Sequence, residues 1–286
     1  ASCTTPCISV REEHKKTIVD YSERISAALK NIGAINVQYA IRNGTVYVLE
    51  ANPRASRTMP YLSKATGVPL AKVAMRVLLG KKLKALGLGE TPKLPYYAVK
   101  SVVFPFLKLP GVDIVLGPEM KSTGESMGID EDFGIAYYKA LIGAGMKLPA
   151  KGKIAITLNK EDKGKAGELA HELLALGYSI CATDGTAQAM GDVKKKVEIV
   201  KKASEGTPNI ITEMEKGGLA MIINTPQVGK RSFSDGFKIR RAALENNVPL
   251  VTSIEAAFGI ARALKAAQGR EIGVTSVNER AKEVKR

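Results

Sequence analysis

Beyond Lys151 the chain settles into a regular alternation of short β-branched runs and amphipathic stretches, and this pattern limits the fold more than any other feature. Strand-like runs at residues 153–158, 178–183, 197–200, 219–224 and 249–252 alternate with helical spacing at 162–176, 185–190, 209–216, 234–246 and 254–268. Strands separated by helices are joined by crossovers, which set them parallel, so the expected architecture is a doubly wound α/β sheet. Ligands of such sheets sit at the carboxyl ends of the strands. The polar residues gather there: Thr157 and Asn159 with Lys163, Thr183 with Gly185 and Thr186, Lys202, Asn224 with Thr225, and Lys230 with Arg231. Any one threonine reads better as a helix cap. The whole set on one sheet edge reads as an anion pocket, because helix-start amides, small hydroxyls and lysines together cradle a phosphate.

The first half has a different texture. Apolar positions Ile18, Tyr21, Ile25, Ala28 and Leu29 recur at helical spacing, with a stop at Asn31-Ile32-Gly33. Two strand-like runs, at 36–41 and 46–50, flank Asn43-Gly44, a strong hairpin signal. Residues 59–79 are helical again, interrupted by Gly67-Val68-Pro69. From 86 to 150 repeated Gly and Pro leave only short strand candidates, read as a packed connector with a helix at 133–142. The expected division is 1–85, an α+β segment; 86–150, the connector; and 151–286, the parallel-sheet domain.

Period-two alternation along the second hairpin strand predicts Val46, Val48, Glu50 and Asn52 on one face, with Tyr47, Leu49 and Ala51 on the other. Whether Gln38 joins Glu50 depends on the turn. A two-residue Asn43-Gly44 loop pairs Val37 with Glu50 and sends Gln38 away, whereas a three-residue Arg42-Asn43-Gly44 loop pairs Gln38 with Val48 and brings it to the carboxylate's face. Only the second register builds a three-oxygen site from Gln38, Glu50 and Asn52. Such hard oxygens suit Mg2+ or Mn2+, with substrate phosphates completing the coordination. Arg54 and Arg57 follow at once and could neutralise those phosphates. The alternative is an ordinary hairpin whose strand end turns polar as it leaves the core.

Lysine plus arginine outnumber the acids 43 to 28, and the resulting charge of +15 attracts anions without choosing among nucleotides, phosphates and nucleic acid. The lysine run at 194–196, Lys201-Lys202 and the basic tail at 280–286 read as a solvated surface rather than a nucleic-acid grip, since the chain has no tryptophan for base stacking. No run nears the ~18 apolar residues of a membrane span, and three cysteines in a chain of 286 residues point to a reducing compartment, so a soluble, cytoplasmic protein is expected. Cys3, Cys7, His14 and His171 are too scattered to suggest a metal centre. The chain opens on Ala1 in a loop-like Ala-Ser-Cys-Thr-Thr-Pro-Cys, which reads as entered from further upstream.

Longer words then stand out. Asn36-Val37-Gln38-Tyr39-Ala40, the run from Val46 through Glu50-Ala51-Asn52-Pro53-Arg54-Ala55-Ser56-Arg57-Thr58, Ser63-Lys64-Ala65-Thr66-Gly67-Val68-Pro69-Leu70, Phe104-Pro105-Phe106, Pro110-Gly111-Val112-Asp113 and Leu116-Gly117-Pro118-Glu119-Met120-Lys121-Ser122-Thr123-Gly124-Glu125 resemble the carbamoyl-phosphate synthase large subunit. The resemblance implies the end of its second ATP-grasp unit, an ATP-dependent ligase that phosphorylates carbamate for pyrimidine and arginine biosynthesis. Gln38, Glu50 and Asn52 match that family's metal ligands for Mg2+ or Mn2+, and Arg54 matches an arginine on the phosphates. Ala51 replaces a valine on the side away from the metal. The lid, adenine pocket and upstream lysines of an ATP-grasp unit are missing, so this chain alone is expected to be inactive. The implied partners are the remainder of the large subunit and a glutamine amidotransferase small subunit, with a homo-oligomer left open.

The later segment resembles the methylglyoxal-synthase-like regulatory domain that closes the same subunit, through Ala182-Thr183-Asp184-Gly185-Thr186-Ala187, Glu205-Gly206-Thr207-Pro208-Asn209-Ile210, Ile222-Ile223-Asn224-Thr225 and Ile239-Arg240-Arg241-Ala242-Ala243-Leu244. That domain binds a nucleotide monophosphate effector, UMP or IMP, and Lys163, Thr183, Thr186, Lys202, Asn224 and Thr225 sit at matching positions. Pro226-Gln227-Val228 departs from the family's run by one residue and a lost hydroxyl. Methylglyoxal synthase chemistry is not expected, because its carboxylate and histidine segments are replaced here by Glu205-Gly206-Thr207-Pro208-Asn209 and Phe233-Ser234-Asp235-Gly236. Ser101 after Val99-Lys100 replaces the acidic residue that helps some members bind ornithine. The competing reading is a free-standing nucleotide-monophosphate-binding module with no catalytic part.

Overall fold

The computed structural model describes residues 2–89, 92–109, 114–117, 119–227 and 234–284. Pro110 to Asp113 and Pro118 of the motifs above, and Lys230 and Arg231 of the expected pocket, lie outside the described residues. The chain divides into two compact units, one of residues 4–98 with 273–286, the other of residues 1–3 with 99–272. The stretch expected as a connector is thus shared between them.

After a short strand β1 (Cys3–Thr5), helix α1 (Glu12–Ala28) opens with Glu12 and Glu13, whose charges favour the positive end of the helix dipole. Lys30 at φ 48° then turns the chain out of the helix. The hairpin follows as β2 (Asn36–Arg42) and β3 (Thr45–Asn52), closed by Asn43 and Gly44 at φ 51° and 77°. Two successive left-handed residues make the tight turn that matches strand twist. Helix α2 (Thr58–Thr66) stops at left-handed Gly67, as expected of a C-terminal glycine, and Pro69 precedes α3 (Leu70–Leu78). Two tyrosines fasten this unit: Tyr61 donates to the carbonyl of Ala98 at 2.6 Å, and Tyr96 to those of Ala65 and Arg280 at 2.9 and 3.4 Å. Arg280 belongs to a final helix, Val277–Glu283, in a basic tail that sequence periodicity left unassigned.

In the other unit, strands β4 (Tyr97–Val103) and β5 (Gly124–Asp130) are longer than the Gly/Pro texture suggested, and they form a three-stranded sheet of order β1-β4-β5. Helix α4 (Phe133–Gly143), capped by Asp132 on the amide of Ile135, lies so close to β5 that a Cβ on Gly128 would fall 2.0 Å from the carbonyl oxygen of Ala136.

The expected parallel sheet forms from β6 (Lys153–Thr157), β7 (Ser179–Thr183), β8 (Val197–Val200), β9 (Met221–Asn224) and β10 (Leu250–Val251), in the order β10-β9-β6-β7-β8. Every described pairing in it is parallel. Ile154, Ile156, Ile180, Cys181, Ile222 and Ile223 are buried along its strands, the near-continuous apolar runs that a sheet covered on both faces requires. The principal helices of the domain are α5 (Ala166–Ala175), the short α6 (Asp184–Gln188), α7 (Ile210–Glu215), α8 (Asp235–Glu245) and α9 (Ile254–Ala267). Leu169 and Leu173 of α5 and Ile254 and Ile260 of α9 fill the core. No described helix is long and apolar enough to cross a membrane.

Candidate functional sites

On the hairpin neither turn alternative holds as stated. The loop has two residues, with Arg42 opposite Thr45, but the register slips by one between Gln38 and Tyr39, leaving Leu49 as an extra residue on β3. This bulge sets Gln38 opposite Glu50 and Asn36 opposite Asn52. It also overturns the expected face. Cross-strand partners share a face, so Val46 and Val48 lie with Ile41 and Tyr39, while Glu50 and Asn52 lie with Gln38 and Tyr47. Val46 is buried and Tyr39 shares a hydrogen bond with Ser22 of α1, so the apolar face is held and the polar one projects away from it. A regular strand would have kept the valines and Glu50 on one side; the inserted residue changes sides halfway.

The three expected ligands therefore converge. Gln38 Nε2 and Asn52 Nδ2 donate to Glu50 Oε1 at 2.7 and 2.8 Å. Each amide, rotated by half a turn, presents an oxygen in the same place, giving one carboxylate and two amide oxygens for a hard divalent cation. Among the described residues no group of three His, Cys, Asp or Glu side chains competes as a metal site. Arg54 leaves the strand in a tight turn, its amide donating to Asn52 O at 2.8 Å and its Nη1 to Ala55 O at 3.0 Å. It also lines a groove of about 290 Å³ beside Asn36 and Ser56, whose floor is apolar through Met59, Leu62 and Val77.

In the parallel sheet, chain order reverses between β6 and β9: β7 and β8 run out on one side of β6, β9 and β10 on the other. The crevice at this reversal, where Thr157 pairs with Asn224, is where open α/β sheets bind ligands. Thr186, Asn224 and Thr225 are buried there. Thr186 Oγ1 accepts the amide of Leu158 at 3.1 Å, and Thr225 Oγ1 accepts that of Asn159 at 2.8 Å. Asn159 in turn donates to Pro226 O and accepts from the amide of Asp162 at 2.8 Å. These threonines thus brace the loop leaving β6, a supporting role that the sequence did not separate from direct ligation. Thr183 Oγ1 lies 3.4 Å from Thr186 Oγ1, and Lys163 Nζ stands 3.1 Å from where a side chain on Gly185 would begin.

Lys202 is exposed and engaged within its own turn. Its Nζ lies 2.6 Å from Glu205 Oε1, and this hydrogen bond raises the lysine pKa and lowers that of the carboxylate. Asp235 and Asp184 act on the same ammonium, and Asp235 also accepts from the amide and hydroxyl of Ser204 at 3.2 and 2.6 Å. Glu205, Ser204 and Asp235 were not among the expected site residues; an acid three residues after a lysine was the available signal. Arg240, also missed, is buried on α8 with Nη1 2.8 Å from Asn224 Oδ1.

Two family descriptions match the chain: "Carbamoyl-phosphate synthase L chain, ATP binding domain" over residues 3–86 and "MGS-like domain" over 165–252. It is 50% identical over 98% of its length to a carbamoyl phosphate synthase large chain of Archaeoglobus fulgidus, of which it spans 26%. It is 45% identical over 99% of its length to one of Methanosarcina barkeri, spanning 71% of that protein. A protein of Methanocaldococcus jannaschii named "Carbamoyl phosphate synthase large chain, C-terminal section" is 47% identical over 92% of this chain and spanned to 44%. Being 45% identical along almost its whole length to a relative of which it spans 71%, this chain belongs to the carbamoyl phosphate synthase large-chain family.

Proposed function

We propose that the chain serves as the C-terminal part of a carbamoyl phosphate synthase large chain, an ATP-dependent ligase, supplying phosphate-proximal ligands to carbamate phosphorylation and a regulatory nucleotide site. The observation that carries this reading is the bulged hairpin, which brings Gln38, Glu50 and Asn52 to one point despite a two-residue turn. These three residues would hold Mg2+ or Mn2+, which when bound supplies charge neutralisation at the ATP phosphates. Arg54, two residues beyond Asn52, would fork onto phosphate oxygens and offset the charge that develops during transfer.

In the parallel-sheet domain, Lys163, Thr183, Lys202 and Asn224 would face the phosphate of a nucleotide monophosphate, UMP or IMP, with Thr186 and Thr225 holding the loop that shapes the crevice. A divalent metal, the rest of the large chain and a glutamine amidotransferase small subunit complete the proposed assembly, in a cytoplasmic setting. The test is reconstitution with the upstream section of the large chain. ATP-dependent carbamate phosphorylation is expected on mixing and at least a hundredfold less with Glu50→Gln; undiminished turnover by the Glu50→Gln complex would contradict the assigned ligand. Should the upstream section restore no turnover while UMP or IMP still binds, the free-standing regulatory module is the better reading.

A further inference from the structure

Arg240 sits on α8, 4% exposed, with its Nη1 2.8 Å from the side-chain oxygen of Asn224, itself 3% exposed at the end of β9. A guanidinium has donors and no acceptor, so the amide can face it only with its oxygen. The orientation of Asn224 is therefore fixed by chemistry: Oδ1 is committed to Arg240, and Nδ2 is turned from the guanidinium with its two N–H groups. Among the described residues Nδ2 makes no hydrogen bond. It lies 3.7 Å from where a Cβ on Gly236 would be, at the first turn of α8. The same Cβ would stand 3.0 Å from Arg240 Nη1, so the glycine leaves room for both groups.

From this we infer that Arg240 is a positioning residue for the crevice at β6 and β9, holding Asn224 as a pure donor and so selecting a ligand that presents an oxygen acceptor there, the phosphate oxygen of a phosphomonoester. The inference rests on the nucleotide-site reading above and adds the residue that sets the site's polarity. An amide free to turn would offer its oxygen half the time and repel an anion. Held in one sense, it pairs with an anionic oxygen without first reorganising.

The experiment is a double-mutant cycle read by calorimetric titration with UMP and with IMP at fixed ionic strength, each variant's folding checked by its melting transition. Arg240→Met is expected to weaken binding at least tenfold, Arg240→Lys, which still donates, by no more than about threefold. Because Arg240 acts through Asn224, the Asn224→Ala/Arg240→Met double variant is expected to bind no worse than Asn224→Ala alone. Losses that multiply, or an Arg240→Met protein that binds like wild type, overturn the inference. A second readout does not depend on the variants: the Asn224 side-chain NH2 resonances of the wild type are expected to shift as UMP or IMP saturates, and an unmoved pair at saturation overturns it too. A wild-type chain that binds neither nucleotide fails differently, removing the nucleotide-site reading and this inference with it.

Discussion

Single residues carry chemistry that depends on where the fold puts them. Cys181 is buried in β7 and its thiol is pushed up to about 12, chiefly because burial disfavours the thiolate, whereas Cys3 and Cys7 are exposed. Two of the three thiols are therefore expected to react promptly with a disulfide reagent at pH 8 and the third only on unfolding; three fast equivalents would contradict the burial. The shift also fixes a sign. Below the unfolded thiol's pKa of about 8.5 both states keep the proton; above it the unfolded chain loses the proton first, so stability falls as pH rises towards the folded value. Unfolding free energies from urea titrations between pH 8.5 and 10.5 are expected to decline by about 1 kcal/mol per pH unit from this group, a component that Cys181→Ala removes. Strand spacing and the family words singled out Gln38, Glu50, Asn52 and Arg54, and the structure brings the first three to one point. Sequence did not reveal that Thr186 and Thr225 brace the loop after β6, because a hydroxyl that accepts a backbone amide looks the same in sequence as one that accepts none.

Elements convert these residues into sites, and here sequence reading was least complete. The Asn43-Gly44 turn was legible, since its conformation is a local property; the bulge at Leu49 was not, since it records a conflict between holding Val46 and Tyr39 against α1 and presenting Glu50 beside Gln38. Deleting Leu49 is expected to remove the bulge and keep Gln38 opposite Glu50, because Glu50 then follows Val48 directly in a regular ladder. Paramagnetic broadening of the Gln38 side-chain amide by Mn2+, expected in the wild-type chain, should then persist together with the hairpin's cross-strand contacts; its loss would show that pairing Gln38 with Glu50 is not what builds the site. Likewise, β4 and β5 were hidden by Gly and Pro, yet Gly128 is there because α4 presses on the strand. Gly128→Ala places a methyl group against the backbone of Ala136 and Ala140, and is expected to destabilise this unit by about 1–3 kcal/mol, the usual cost of overpacking. A chemical denaturation curve checks it, and an unchanged midpoint would mean the contact is looser than the structure has it.

At the scale of the whole molecule, the alternation beyond Lys151 disclosed the parallel sheet almost completely, because long periodic segments are set by burial on both faces. The units were harder to read: the chain's last helix returns to the unit of residues 4–98, and no local pattern announces a contact made across about 180 residues. The outcome is one unit that carries the Gln38-Glu50-Asn52 hairpin and another that carries the crevice between β6 and β9, the two places where a metal and an anion are proposed to bind. The central claim is that the crevice binds a nucleotide monophosphate within its own unit. Hydrogen exchange of the intact chain with and without saturating UMP or IMP tests it most directly. The account predicts that one of the two nucleotides slows exchange at residues 158–163, 183–186 and 224–225 while leaving the hairpin at 36–52 unchanged; no slowing at those segments with either nucleotide, or equal slowing throughout both units, would contradict it.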